Sequence, residues 1–150
     1  MKKQQILYKK NCTILKQLLA DEQILLAKTR NFHWNLTGDQ FLSLHKLFDD
    51  QYEQLASLID EIAERIRQLH DSAPGTLREY LAMTKLKEPA KKTMTQKQMI
   101  TELLSDHTAL IDSLRKNIPA AEQKDAGTVD FLTSILQIHE KNAWFLQSQL

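Results

Sequence analysis

The chain has 150 residues, 42% of them hydrophobic and 26% charged, enough for one domain with a real core and too few for two. Its formal net charge of +1 singles out no partner, and the single Cys12 excludes an intrachain disulfide framework and fits a reducing compartment. No apolar run approaches the roughly 20 residues that span a bilayer, and Met1 to Ile6 lacks a signal-peptide core, so a cytoplasmic protein without membrane contact is expected.

Three glycines and three prolines punctuate a pattern rich in Leu, Ile, Gln, Glu and Lys that repeats at helical spacing. A first long helix is predicted from about residue 5 to 35, and Gly38 separates it from a second over about 39–70. A short helix near 76–83 follows Pro74-Gly75 in a long connection. Thr95 and Gln98 form a capping box for a third long helix over about 96–121, which Pro119 should kink or end. The fourth runs over about 126–148. The pattern contains no convincing strand, no repeat and no low-complexity tract. The expected fold is all-α: a ferritin-like four-helix bundle with a short extra helix in the connection between its second and third long helices.

The second helix carries the chemistry. Phe41, Leu44, Phe48, Tyr52, Leu55, Ile59, Ile62, Ile66 and Leu69 step by three and four and form one core-facing stripe. His45 and Asp49, and again Asp60 and Glu64, are i,i+4 pairs, each on one helical face. At about 100° per residue these four centre roughly 120° away from the stripe, so they do not point into their own bundle. An inward-facing di-iron site would also need Glu-x-x-His pairs, and the sequence has none.

Asp49 and Asp60 lie about 16 Å apart along a straight helix and cannot share one metal within one chain. A second, antiparallel copy of the helix removes the difficulty. Positions 45 and 64 share a midpoint with 49 and 60, between residues 54 and 55. A two-fold axis there, beside the small Ala56, sets His45 and Asp49 opposite Glu64 and Asp60 of the mate. The expected result is two identical sites per dimer, each built from both subunits. His33, beyond the turn Asn35-Leu36-Thr37-Gly38, completes the histidine half. Two imidazoles and three carboxylates suit iron, zinc or manganese better than a soft metal. Taken singly, Asp49, Asp60 and Glu64 could be solvated helix charges and His33 a core or capping histidine; the joint pattern favours a metal site.

The segments His33-Trp34-Asn35-Leu36-Thr37-Gly38, Leu44-His45 with Asp49, and Asp60-Glu61-Ile62-Ala63-Glu64-Arg65 resemble the two signatures of the Dps family, the miniferritins. Ser72 to Thr76, Asp125 to Asp130 with Thr128, and Glu140-Lys141 with Trp144 are similar to the family too, so the likeness runs from about residue 7 to the end. The resemblance implies a hollow dodecamer assembled from two-fold dimers. It implies ferroxidase centres that use His33, His45 and Asp49 of one subunit with Asp60 and Glu64 of its mate. These would oxidise Fe(II), preferentially with hydrogen peroxide, and iron would be stored as ferric mineral, protecting DNA and cell from oxidative stress.

Trp34 becomes a candidate to quench stray oxidising equivalents, the bland reading of Trp34 and Trp144 being large packing residues. Glu122, Asp125 and Asp130 resemble residues lining three-fold iron-entry pores, the competing reading being acidic residues favoured by a helix N-terminus. His70, His107 and His139 match no family ligand and are read as structural or exposed; His70 stands where many relatives have glycine. Lys2, Lys3, Lys9 and Lys10, and Lys85, Lys87, Lys91, Lys92 and Lys97 in the long connection, are candidate DNA contacts of the non-specific, salt-sensitive kind. They read equally as a solvated lysine-rich surface. Two rivals to the ferroxidase therefore stand: a non-catalytic nucleoid protein working through these lysines, and a structural dimer holding zinc or manganese.

Overall fold

A computed structural model describes residues 8–89, 92–121 and 123–150, so Lys2, Lys3, Lys91 and Glu122 lie outside the described residues. Among the described residues the chain forms five helices and no strand: α1 (Lys9–Asn35), α2 (Phe41–Gln68), α3 (Leu77–Met83), α4 (Gln96–Ala120) and α5 (Ala126–Gln147). Each expected helix is present within a few residues of its expected bounds.

The punctuation works for local reasons. Thr95 accepts from the Gln98 N–H while the Gln98 side chain accepts from the Thr95 N–H, and Thr76 and Glu79 repeat the same box at α3. Pro119 sits in the last turn of α4 and the helix stops one residue later, so it ends the helix. Gly38 has φ +123, a backbone position that disfavours any side chain, and a Cβ there would meet the Gln96 side chain at 2.7 Å. The α1–α2 turn is thereby pressed against the start of α4.

At the other end of α2, His70 takes a left-handed φ of 64. The Asp71 N–H donates to the Ile66 carbonyl and the His70 N–H to that of Arg67, the two bonds of a Schellman cap. A histidine therefore occupies a position that suits glycine.

Helices α1 and α2 pack as one hairpin and α4 with α5 as another. Arg65 meets Asp125 while Gln54 meets Asn142, so α2 and α5 run antiparallel; α3 lies on α1. The core draws Leu15, Leu19, Leu25 and Phe32 from α1, Leu44, Phe48, Leu55, Ile62 and Ile66 from α2, Leu103, Leu110 and Leu114 from α4, and Leu132, Ile135 and Leu146 from α5. These recur at three and four, the spacing that gives a helix one buried face. Burying each such side chain contributes about 1.5–3 kcal/mol before entropy is counted.

Two stripe positions of α2 depart from expectation. Phe41, in the first turn, is 37% exposed and lies on the His45 ring. Tyr52 is only half-buried and faces α1 at the edge of the core.

Candidate metal centre

The turn after α1 brings His33 back over the first turns of α2. The two imidazoles stack with centroids 3.7 Å apart and planes 18° from parallel. Each ring is tied by the other residue's backbone: His33 Nδ1–H donates to the His45 carbonyl at 2.9 Å, and His45 Nδ1–H to the His33 carbonyl at 3.0 Å. A carbonyl only accepts, so each Nδ1 carries a proton, and in the neutral ring Nε2 then holds the lone pair. The His33 carbonyl lies in the last turn of α1, where it has no partner within the helix. One pair of hydrogen bonds thus caps a helix and sets both rings in the tautomer that ligates metals through Nε2.

Asp49 is one turn beyond His45, on the same face and half-buried. The Tyr52 hydroxyl beside it holds its carboxyl below the usual carboxylate range, and the neighbouring imidazoles act in the same direction against partial desolvation. His33 is 8% exposed, its edge closed by the Tyr52 ring at 5.2 Å.

Asp60 and Glu64 are exposed on the continuation of that face and form no salt bridge with any described residue. The single chain does not bring them to the histidines, and no three His, Cys, Asp or Glu side chains among the described residues converge on one point suited to a metal. One chain therefore presents a histidine half and a carboxylate half, about three turns apart on one helix.

Trp34 is 71% exposed and Trp144 64%, so neither packs in the core of its own chain. Asp125 corrects the pore expectation for that residue. Its carboxylate is buried, accepts from Arg65 at 2.8 Å, from Asn11 at 3.0 Å and from the Thr128 N–H, and is spent on capping α5. Those bonds hold its pKa down against desolvation. Asp130, by contrast, is exposed, as the pore reading requires. Lys9, Lys10, Lys85, Lys87, Lys92 and Lys97 are all exposed.

His107 and His139, read as structural or exposed, are fully buried. The His139 Nε2–H donates to Glu22 at 2.6 Å, and the two Nδ1 atoms meet at 2.9 Å. Burial, together with the neighbouring His139, pushes the His107 pKa well below its usual value, so His107 is neutral. Its Nε2, one Glu22 oxygen and both polar atoms of the nearly buried Gln51 amide have no hydrogen-bond partner among the described residues. A signal for this network existed in the sequence: Glu22, His107 and His139 each interrupt an apolar stripe at a core position.

The architecture of five helices and no strand among the described residues is that of a ferritin-like protein, and the family model for the Ferritin-like domain matches residues 12–150. The chain is 42% identical over 137 residues to a low-temperature-induced protein of Nostoc sp., covering 90% of this chain and 76% of that one. It is 35% identical to the DNA protection during starvation protein of Helicobacter pylori, with 94% of this chain and 99% of the relative aligned. The crystal structure of a Dps protein from Vibrio cholerae O1, described as a member of the ferritin-like diiron-carboxylate superfamily, superposes with a TM-score of 0.90 at 28% identity, covering 97% of this chain and 91% of that one. The chain belongs to the Dps family.

Proposed function

We propose that residues 1–150 act as a single Dps domain, a miniferritin that binds and oxidises Fe(II) and stores the ferric product. The observation that carries the reading is the stacked pair of imidazoles with both Nε2 lone pairs free beside the ionised Asp49. Nitrogen and carboxylate donors together suit iron. An antiparallel α2 across a two-fold axis supplies Asp60 and Glu64, which form no salt bridge with any described residue of their own chain. Each dimer then holds two centres of His33, His45 and Asp49 from one subunit with Asp60 and Glu64 from the other, and six dimers close into a dodecamer.

The residues divide the work. Three carboxylates offset the charge of the ferrous substrate and favour the ferric product. The backbone-locked imidazoles keep their geometry as the charge changes. Hydrogen peroxide takes one electron from each of two ferrous ions and, with two protons, leaves as two waters. Exposed carboxylates leave coordination positions open for the oxidant and for release of Fe(III) to the store. Consuming peroxide and ferrous iron together suppresses radical formation, with Trp34 placed to quench stray oxidising equivalents. Among the described residues no helix is long and apolar enough to cross a membrane, and we assign the protein to the cytoplasm.

The test is anaerobic Fe(II) loading followed by one peroxide per two irons, with ferric absorbance as readout. Fast oxidation that His45→Ala/Asp49→Ala loses is expected. Equal rates for wild type, variant and free iron would sink the ferroxidase.

A second reading, non-specific DNA binding, is favoured by the exposed lysines at the start of α1 and in the α3–α4 connection. It predicts binding to any duplex that falls steeply as salt rises.

A further inference from the structure

Tyr52 has contacts beyond packing. It lies one turn from Asp49 on the same face of α2, which sets its hydroxyl beside that carboxylate. Its ring meets the edge of His33 at 5.2 Å and 76°, and the Arg30 guanidinium of α1 covers the ring face at 5.0 Å. The nearest competitor for Asp49 is otherwise engaged, because Lys46 pairs with Asp50.

We infer that Tyr52 is a positioning residue of the iron site: it holds Asp49 and His33 in place for the incoming ferrous ion, and Arg30 holds Tyr52. The inference rests on the metal-centre reading above. Asp49 and His33 come from different helices, so without a link between them each would search its own rotamers before both could meet one ion. Tyr52 lies against the His33 ring and beside Asp49, and Arg30 anchors it to α1. The histidine half is thereby ordered before a partner subunit or a metal arrives. Groups that orient metal ligands from behind alter affinity by about 10–100-fold when removed.

Tyr52→Phe removes the hydroxyl and keeps the ring, with its contacts to Arg30 and His33. The assembled protein, wild type and variant, would be titrated without oxygen with Co(II), which reports inner-sphere binding by its visible absorption. Melting temperature and oligomer size would be recorded alongside. The expected result is Co(II) affinity weakened about tenfold, with melting temperature and oligomer size unchanged. In the peroxide assay the Fe(II) concentration for half-maximal rate rises and the saturating rate holds, because Tyr52 acts on binding and not on electron transfer. Equal Co(II) affinities, or a loss that tracks a lowered melting temperature, would overturn the positioning role while leaving the metal centre standing. A wild-type oligomer that takes up no Co(II) would overturn the centre and the positioning role together.

Discussion

Two clusters in this molecule use the same side chains to opposite ends. Where the end of α1 meets the start of α2, His45 and Asp49 are half-buried and His33 nearly buried, with each Nδ1 bound to backbone. In the bundle interior, Glu22, His139 and His107 are fully buried, and both His139 nitrogens are occupied. The first arrangement leaves lone pairs facing an approachable surface, as a ligand set must. The second turns the same chemistry inward and ties α1, α5 and α4 together. Composition alone does not separate a site from a strut; free lone pairs and access do.

The sharpest way to break the comparison is to separate the two halves of the outer site. Homo-oligomers of His45→Ala/Asp49→Ala and of Asp60→Ala/Glu64→Ala should each lose fast ferrous oxidation. Refolded together in equal amounts, they should regain about a quarter of wild-type activity, because a quarter of the shared sites then draw both intact halves. No recovery from correctly assembled mixtures would refute a site shared across the two-fold.

The inner cluster should instead affect stability. Glu22→Ala leaves the His139 N–H buried without an acceptor and should cost about 3 kcal/mol, read from the urea midpoint of the assembled protein. The outer histidines should be indifferent to it, so the iron oxidation rate per folded subunit should hold. Asp125→Ala, which strips a cap and leaves Arg65 and Asn11 without their carboxylate, should cost about 2 kcal/mol by the same measurement.

Acid sharpens the contrast further. The His107 pKa is lowered in the folded chain, so between that value and about 6.5 the unfolded chain binds the extra proton. Stability from this group is complete above the unfolded value and declines as pH falls below it. The melting temperature should therefore drop between pH 7 and pH 5, and His107→Leu should flatten that slope. Carboxylates held below their usual range, Asp71 and Asp125 among them, add their loss only at lower pH. The smallest effect belongs to the end of α2: His70→Gly relieves a left-handed backbone and should raise stability by about 1 kcal/mol in thermal melts.

Much of this was legible in the chain. The helical periodicity, the Thr95–Gln98 box, Pro119 and Gly38 gave five helices and their order, because those signals are local. The i,i+4 pairs of α2 put His45, Asp49, Asp60 and Glu64 on one face away from the core, since a regular helix turns spacing directly into direction. Three things were decided by tertiary structure. Asp125 became a buried cap because Arg65, 60 residues earlier, arrives beside it. His107 and His139 became a strut because α4 and α5 meet α1 at Glu22. The two imidazoles were set in one tautomer by each other's carbonyls only once the turn had folded α1 back onto α2. Sequence fixes which groups share a helical face; which partner takes each lone pair and proton depends on helices that meet only when the bundle closes.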